Sequence, residues 1–253
     1  MSKAQRFQGK SVIVTGAARG IGAAAAQRFA EEGASVLLVD LLPEVLETAK
    51  AVGGQGIVLD VTASDAGGRI VAAARQAFGR IDVLVNNAGI GGSRRLEDSD
   101  DALLARIVDT NLGSMMRITR AVLPQLPRPG GSIVNVSSIF GLVGYPGTAA
   151  YAVAKAGVAQ FTQQLTSEVA HQGVRVNAIA PGVVVTPMTE DHLKNPNYVR
   201  LMVDSTPMAR VCQPSEQAAA IAFLASDDAS FVCGVTLPVD GGYLAARYAP
   251  NYG

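Results

Sequence analysis

The sequence predicts an α/β fold in which helices cover both faces of a seven-stranded parallel sheet. Short apolar runs rich in β-branched residues alternate with longer segments of helical character along the chain. A glycine-rich turn follows the first apolar run, and a helical stretch follows that turn. No linker, repeat or low-complexity segment interrupts the 253 residues. We therefore expect a single domain, residues 1–253, with right-handed crossovers between its strands.

The first strand is predicted at Ser11–Thr15 and the second at Ser35–Asp40. Both runs are short and apolar, as buried parallel strands are. Five further runs of the same kind would complete the sheet. They are Gln55–Val61, Ile81–Val85, Gly131–Ser138, Val174–Ala180 and Val235–Val239.

Helices are predicted between these strands. Ala23–Glu32 ends at a glycine, as helices commonly do, and Ala63–Phe78 is weakened by two internal glycines. Two longer helices, at about 99–123 and 148–171, precede and follow the fifth strand. The first of these two stops at Pro124, which cannot continue a helix.

The turn after the first strand carries Gly16, Gly20 and Gly22. Glycine lets the backbone approach a ligand closely, and the free N–H groups at a helix start can bind a diphosphate. Strand, turn and helix occur in the order that a dinucleotide site requires. A tight turn without a ligand is the less favoured interpretation.

Asp40 ends the second strand at about twenty residues beyond the glycines. A carboxylate there can accept hydrogen bonds from both hydroxyls of an adenosine ribose, and it would repel a 2′-phosphate. Leu41 and Leu42 follow, where a base would favour NADP. Arg19 could reach a 2′-phosphate from the glycine turn, but Asp40 is the stronger indicator. The sequence predicts NAD.

Charge and composition exclude several classes of protein. Lysine plus arginine equals aspartate plus glutamate at 21 each, without blocks of like charge, so neither nucleic-acid nor anionic-membrane binding is expected. No apolar run reaches the length of a signal core or a membrane span. Cys212 and Cys233 lack metal-ligand spacing. We expect two free thiols, no metal site and a cytoplasmic protein.

Tyr151 and Lys155 lie four residues apart on the predicted helix 148–171, and therefore point from the same helical face. A phenol exchanges protons poorly at neutral pH because its pKa is about 10. A nearby cation lowers that pKa, so such a pair can pass a proton to or from an alcohol oxygen. The spacing alone is more often met by an aromatic ring and a lysine packed along an exposed helix.

The ordered set of motifs resembles the short-chain dehydrogenase/reductase family, which has a Rossmann-type, doubly wound fold, from end to end. Each motif is weak alone, but their common order and spacing are specific. The glycine pattern departs from the G-x-G-x-x-G of longer dehydrogenases and matches the one this family uses. The motifs are Thr15-Gly16-x-x-x-Gly20-x-Gly22, Asn86-Asn87-Ala88-Gly89, Asn111, Ser138, Tyr151-x-x-x-Lys155 and Pro181-Gly182.

The resemblance implies four catalytic residues. Tyr151 would be the general acid/base, and Ser138 would hydrogen-bond the substrate oxygen. Lys155 would bind the nicotinamide ribose and lower the pKa of the tyrosine, while Asn111 would hold a water in a proton relay. The resemblance also implies hydride transfer at the B face of the nicotinamide, with the cofactor performing the hydride chemistry.

The resemblance implies a dinucleotide site as well. Asp60 and the Val61 backbone would flank the adenine, and Asn87 would lie near the adenosine-side ribose. The Val184 backbone and the Thr186 hydroxyl would hold the carboxamide. The full expected set is Gly16, Arg19, Gly20, Ile21, Gly22, Asp40, Asp60, Val61, Asn87, Gly89, Tyr151, Lys155, Pro181, Gly182, Val184 and Thr186.

Three of these assignments have structural alternatives. Asp60 could be a turn residue, and Thr186 could start the following helix with a proline behind it. Asn111 could merely bend its helix. The sequence leaves these alternatives open.

The segment at about 186–210 is where this family closes over its substrate. Its apolar residues, with the apolar turn 139–145, predict a pocket for an uncharged, fairly hydrophobic alcohol or ketone. Arg94 and Arg95 could bind a carboxylate instead, although a solvated loop is the favoured interpretation.

The expected function is an NAD-dependent oxidoreductase acting on a small-molecule secondary alcohol or ketone. The alternative is a 3-hydroxyacyl, β-ketoacyl or hydroxysteroid-type reductase. Asp40 disfavours the acyl reductases, because many of them use NADPH. A dinucleotide-sensing protein without turnover is a remote alternative, since a sensor has no need of Ser138, Tyr151 and Lys155 together.

Members of this family usually assemble as tetramers through the long helices near Asn111 and Tyr151, so the resemblance implies a homotetramer. The tail, residues 243–253, contains three tyrosines and is expected to pack against a neighbouring subunit. Four small residues would permit close approach of the second helix to its partner. They are Ala154, Ala156, Gly157 and Ala159.

Overall fold

The computed structural model describes residues 5–246, and its centre is a sheet of seven parallel strands. The predicted fold class is confirmed, and the first two strands have the predicted bounds. The strands are β1 Ser11–Thr15, β2 Ser35–Asp40, β3 Gln55–Val58, β4 Val83–Asn86, β5 Ser132–Val136, β6 Arg175–Pro181 and β7 Thr236–Val239. Their order across the sheet is β3-β2-β1-β4-β5-β6-β7.

The third strand is shorter than predicted because a turn begins at Asp60. The Asp60 carboxylate oxygen Oδ1 accepts hydrogen bonds from the backbone nitrogen and the hydroxyl of Thr62, at 2.8 and 2.7 Å. This local turn competes with further strand pairing. β3 therefore ends at Val58, three residues before the predicted end at Val61.

The helices cover both faces of the sheet. Four of them, α2, α7, α8 and α9, were not predicted from the sequence. The segment predicted as one helix at 99–123 is interrupted after α4 by a π-helical turn, Asp109–Gly113. The helices are α1 Gly20–Glu31, α2 Val45–Ala51, α3 Ala66–Phe78, α4 Asp101–Val108, α5 Ser114–Val122, α6 Ala149–Val169, α7 Glu190–Leu193, α8 Pro196–Val199 and α9 Pro214–Ala225.

The hydrophobic core is divided by the sheet into two layers, because successive side chains of a strand point to opposite faces. Val12 and Val14 of β1 pack with α1 and α9 on one face. Ile13, between them, packs with α3, α5 and α6 on the other. All three side chains are fully buried. Because the helices are packed against the strands in this way, the first residues of the helices stay beside the strand ends at one edge of the sheet.

That edge contains the point where the strand order reverses. The chain proceeds from β1 outward through β2 and β3, then returns to β4 on the other side of β1. In open parallel sheets a crevice forms beyond the carboxyl ends of the strands at such a point. The glycine turn after β1 and the Asn87 segment after β4 both lie there.

No helix among residues 5–246 is long and apolar enough to cross a membrane. Over the same residues, no group of three or more His, Cys, Asp and Glu side chains is placed to hold a metal. Cys212 and Cys233 are free thiols. The predicted tail lies outside the described residues from position 247 onward, and Tyr243 at its start packs within the chain, its hydroxyl 3.5 Å from the sulfur of Met202.

Candidate active site

A cavity of about 790 Å³ lies at the carboxyl edge of the sheet and brings together every predicted site residue except Gly22. The residues come from turns and helices up to 170 positions apart in sequence, yet they face one space. The predicted residues that line it are Gly16, Arg19, Gly20, Ile21, Asp40, Asp60, Val61, Asn87, Gly89, Asn111, Ser138, Tyr151, Lys155, Pro181, Gly182, Val184 and Thr186.

Gly22 supports the glycine turn from beneath instead of lining the cavity. A Cβ at this position would overlap the Gly16 carbonyl oxygen and lie 2.5 Å from Nδ2 of Asn87. Only glycine therefore lets α1 pack this closely under the turn. Its place in the fold differs from the cofactor contact expected from the sequence.

Asn87 fixes the glycine turn between β1 and β4. Its Nδ2 donates to the carbonyl oxygens of Thr15 and Gly16, both at 2.9 Å. Gly16 has φ +65°, and a Cβ there would lie 2.7 Å from Cα of Ala88. The turn is therefore held open toward the cavity by a side chain that follows a different strand.

The Asp40 carboxylate braces the same edge. One oxygen accepts a hydrogen bond from the Ala18 nitrogen at 2.9 Å, and the other accepts from the Leu42 nitrogen at 3.0 Å. A carboxylate oxygen has two lone pairs, so both retain capacity for further donors in the cavity. Arg19 lines the same cavity. The carboxylate that favours NAD and the guanidinium that could bind the 2′-phosphate of NADP therefore face one space.

Asp60 is a turn residue, as one of the two alternatives expected, and the other alternative, a place beside the adenine, stays a prediction. Its carboxylate closes the turn with Thr62, and the residue also lines the cavity beside Val61. The turn bonds use Oδ1 alone, so Oδ2 is the oxygen that can meet a ligand.

Asn111 likewise combines helix distortion with a place in the cavity. It sits in the π turn, is 2% exposed, and donates from Nδ2 to the carbonyl oxygens of Ile107 and Ile90 at 2.9 and 3.0 Å. Its Oδ1 accepts from the Ile90 nitrogen at 3.2 Å. A Cβ on Gly89 would lie 2.5 Å from that oxygen and 3.4 Å from Nζ of Lys155. Asn111 and Lys155 therefore flank the same glycine. π turns are often found at functional sites.

Ser138, Tyr151 and Lys155 meet at the end of β5 and the start of α6. The hydroxyls of Ser138 and Tyr151 share a hydrogen bond. Nζ of Lys155 lies 5.7 Å from the centroid of the Tyr151 ring and donates to the Val136 carbonyl oxygen at 2.9 Å. Lys155 is only 4% exposed. The three side chains expected to act together are therefore in contact range.

Burial sets the electrostatics of this group. It raises the pKa of Tyr151, against the weaker effect of the Ser138 hydrogen bond, which lowers it. It lowers the pKa of Lys155 to about 8. The lowering of the Tyr151 pKa by Lys155 that the sequence suggests stays a prediction, because burial, which opposes charge on both side chains, is the largest effect on the pKa of Tyr151 here.

Two stacked aromatic pairs lie near Tyr151 without lining the cavity itself. Phe140 stacks on Tyr145 with ring centroids 4.8 Å apart, and His192 stacks on Tyr198 at 5.1 Å. We call these four residues the aromatic wall. Burial raises the pKa of Tyr198 to about 12, and the neighbouring tyrosines add to this effect. Tyr198 is therefore uncharged at neutral pH.

The residues on either side of the segment 186–210 pair with each other. Val184 pairs with Cys212 as a short parallel bridge, with Val185 N donating to Cys212 O and Cys212 N to Val183 O, both at 2.9 Å. Thr186 does not start a helix, since α7 begins at Glu190. The hydroxyl of Thr189 instead holds the Thr186 nitrogen, at 3.2 Å.

Several lining residues were missed by the sequence analysis. They are Arg106, Asp109 and Thr110, which border the cavity just before Asn111. Their nearness to Asn111 in sequence was the available signal. Met188 borders the cavity from the segment 186–210, whose apolar residues were expected to line the pocket. Arg94 and Arg95 do not line the cavity, and Arg95 lies 3.5 Å from Glu97.

Comparison with known proteins places this site in a family. Residues 16–244 match the family model described as enoyl-(acyl carrier protein) reductase. The chain belongs to the short-chain dehydrogenase/reductase family. The resemblance seen in the motifs is therefore confirmed, and the chain is an oxidoreductase acting on CH–OH donors.

Individual relatives match over nearly their whole length. The 3-oxoacyl-(acyl-carrier-protein) reductase FabG of Thermotoga maritima is 42% identical, covering 94% of this chain and 98% of the relative. A cyclopentanol dehydrogenase of Comamonas sp. is 41% identical, covering 95% and 99%. The crystal structure of levodione reductase superposes with a TM-score of 0.91 at 36% identity, covering 95% of this chain and 100% of that one.

Proposed function

We propose that this protein is an NAD-dependent dehydrogenase of secondary alcohols, or a reductase of the corresponding ketones, for uncharged and fairly hydrophobic substrates. One observation carries the proposal. A phenol hydrogen-bonded to Ser138 and flanked by Lys155 lines the same cavity as the Asp40 carboxylate. Such a cavity offers proton exchange and ribose recognition in one space.

The residues present fit a dinucleotide. The cavity volume of about 790 Å³ is in the range of roughly 300–1,000 Å³ that small-molecule sites occupy. Gly16 and Gly20 both have positive φ and face it, so the backbone itself forms the floor. Within the described residues no side chain caps the start of α1, which leaves its N–H groups for a diphosphate. Asp40 would hold the adenosine ribose, and Lys155 the nicotinamide ribose.

The bound nicotinamide would supply the hydride chemistry. Tyr151 would exchange the proton on the substrate oxygen, and Ser138 would hydrogen-bond the same oxygen. Because burial raises the pKa of Tyr151, the phenol is protonated at neutral pH and suited to donate to a ketone. In the oxidising direction the phenol must first lose its proton, and the Lys155 ammonium would stabilise the phenolate.

Asn111 would connect this pair to solvent. It lies across Gly89 from Lys155, so a water held by its amide would stand between the lysine and the outer part of the cavity. The π turn presents the amide side chain, and the bonds to Ile90 and Ile107 orient it. Its function would be positional, since an amide does not titrate.

The substrate preference is supported by apolar residues of the cavity lining, such as Ile90, Val136 and Met188, and by the aromatic wall near Tyr151. Aromatic and apolar surfaces favour uncharged, hydrophobic substrates over sugar phosphates. The relatives named cyclopentanol dehydrogenase and levodione reductase support small alcohols and ketones as the first candidates.

A second candidate is a 3-oxoacyl reductase. It is favoured by the 42% identity with FabG of Thermotoga maritima and by Arg19 in the cavity, which could bind a 2′-phosphate. Rates with NADH and NADPH, on a cyclic ketone and on a 3-oxoacyl thioester, separate the two. Faster turnover of the thioester with NADPH would replace our proposal.

The test of the main proposal is direct. Purified protein is incubated with NAD⁺ and a panel of secondary alcohols that includes cyclopentanol, and the absorbance of the reduced cofactor is followed. We expect turnover that Tyr151→Phe abolishes. Binding of dinucleotide with no hydride exchange on alcohols, diols, sterols or sugars would indicate a dinucleotide sensor.

We further propose a cytoplasmic homotetramer whose subunits are single domains of residues 1–253. The two free thiols suit a reducing compartment. Exposed apolar side chains on the helices near Asn111 and Tyr151 support assembly there: Val108 is 37%, Met116 43% and Val153 66% exposed. Light scattering would give the mass, and a monomer would contradict this assembly.

A further inference from the structure

The guanidinium of Arg117 spans the π turn that carries Asn111. Arg117 lies on α5, and Asp109 is the first residue of the turn. The two side chains form a bidentate pair, with Nη1 to Oδ1 at 2.7 Å and Nη2 to Oδ2 at 3.0 Å. Two parallel bonds of this kind fix orientation as well as distance. The pair therefore ties the helix after the turn to the residue that begins it.

The turn is packed closely against this pair. A Cβ at Gly113, the last residue of the turn, would overlap Oδ1 of Asp109 and lie 3.2 Å from Nη1 of Arg117. Glycine at 113 thus lets the ion pair close directly over the turn. Asn111, in the middle of the turn, then has its amide fixed by Ile107 and Ile90.

Arg117 also reaches the opposite wall of the cavity. Its Nη2 lies 3.4 Å from the carbonyl oxygen of Thr62. Thr62 is the partner of Asp60 in the turn after β3. Thr62, Asp60, Asp109 and Asn111 all line the cavity. One guanidinium therefore links the turn that presents Asp60 with the turn that presents Asn111.

We propose that Arg117 is a positioning residue for the reaction. By holding Asp109 and the Thr62 carbonyl together, it fixes Asn111 beside Lys155 and Asp60 where the adenine is expected. The inference rests on the proposed function for the roles of Asn111 and Asp60. The ion pair itself does not touch the reacting atoms, so its effect is on geometry.

Arg117 has features that a solvated surface pair lacks. Its side chain is 34% exposed, yet Nε is buried and has no hydrogen-bond partner within residues 5–246. Buried polar atoms without partners are rare. The pair also lowers the pKa of Asp109, so the carboxylate stays charged and bound to the guanidinium at neutral pH.

The test uses Arg117→Met, Arg117→Lys and Asp109→Asn, with Arg120→Met as the matched control. Arg120 is an exposed arginine on the same helix. Three measurements are made on the full chain: the Kd of NADH by fluorescence, kcat and KM on an alcohol of the panel, and amide hydrogen exchange of residues 60–62 and 107–113.

We expect Arg117→Met to lower kcat and weaken NADH binding by about tenfold each, because small displacements of positioned groups cost this much or more. Amide exchange should accelerate in both segments. Arg117→Lys should recover part of kcat, and Arg120→Met should match the wild type. The double variant with Asp109→Asn should be no worse than Arg117→Met alone, since both changes remove one pair.

Unchanged kcat, Kd and amide exchange in Arg117→Met, with only a lower Tm, would overturn the inference. Additive losses in the double variant would overturn it too. If Arg117→Met does not fold, Arg117→Lys and Asp109→Asn provide the same comparison. If the wild type shows no turnover, the proposed function fails, while NADH binding and amide exchange still decide the positioning of the two turns.

Discussion

The ammonium of Lys155 lies 5.7 Å from the ring centroid of Tyr151 and is held there by the carbonyl oxygen of Val136, 2.9 Å away. Helical spacing puts the two side chains on one face, and the strand end at Val136 sets their separation. Burial moves their pKa values apart, since it raises that of the phenol and lowers that of the ammonium to about 8. The phenol is therefore protonated at neutral pH, and Lys155 is the member of the pair whose charge changes closer to neutral pH.

Replacing Tyr151 with phenylalanine should remove the proton-exchanging group and leave the ring in place. We expect kcat/KM to fall by at least about 10²–10⁴-fold, the usual contribution of general acid–base catalysis. NADH should bind within a factor of about three of wild type, because the phenol is a small part of the cavity lining. Steady-state kinetics and a fluorescence titration check the two statements. Residual activity near the wild-type level would exclude Tyr151 as the acid/base.

Ser138→Ala should slow the reaction and also move its pH dependence. The Ser138 hydrogen bond lowers the pKa of Tyr151, so its removal raises that pKa further. Alcohol oxidation needs the deprotonated phenol, and its rise with pH should therefore shift to more alkaline pH. The rate at a fixed pH should fall by about 10²–10³-fold, as when one donor to a developing charge is lost. Profiles of kcat/KM against pH test this, with Ser138→Thr as the control that keeps a hydroxyl.

Asp40→Asn should weaken the preference for NAD. The substitution removes the charge that would repel a 2′-phosphate, and its amide oxygen can still accept from the Ala18 nitrogen. We expect the ratio of kcat/KM for NADH over NADPH to fall by about tenfold, equivalent to about 1.4 kcal/mol. Arg19→Met in the same background should reverse part of the gain in NADPH use. A ratio unmoved by Asp40→Asn would show that the carboxylate does not read the ribose.

Lys155→Met should change how stability depends on pH. Below pH 8 the buried lysine is charged in both the folded and the unfolded chain, and its desolvation penalty is fully present. As pH rises from 8 to its ordinary pKa of 10.5, the unfolded chain holds more protons, so the wild type gains stability. The methionine variant lacks this gain.

Between pH 7 and 10.5 the wild type should therefore gain up to about 3 kcal/mol in free energy of unfolding relative to Lys155→Met, at about 1.4 kcal/mol per pKa unit. Urea denaturation of both proteins at several pH values measures the difference. A constant difference across this range would mean that the lysine is not desolvated as the structure indicates.

The strands and the glycine turn could be predicted because their signals are local. Ser11–Thr15 and Ser35–Asp40 are contiguous apolar runs, and each has the observed bounds. α9 was missed because its alanine-rich sequence is apolar around most of its circumference. Its local signals were Pro214 at the first position and the capping pair of Gln213 and Glu216.

The site residues were predictable as a set, but their electrostatics were not. The pKa of Tyr151 depends on its burial, and Tyr198, from a segment far away in sequence, is close enough to interact with it electrostatically, which no four-residue spacing reveals. The π turn that contains Asn111 also depends on contacts beyond the helical spacing, since Arg117 and Asp109 are eight residues apart and pair across it.

The reversal of strand order next to β1 divides the residues at the carboxyl edge of the sheet into two groups. Asp40 and Asp60 lie at or just beyond the ends of strands on one side of the reversal, whereas Ser138 and Pro181 lie at or just beyond the ends of strands on the other. Mutations that retune recognition of the adenosine end of a dinucleotide and mutations beside Ser138 would therefore fall in different stretches of the gene. Recombination between the genes of two relatives near the codons for β4 would exchange the residues of one group and keep those of the other.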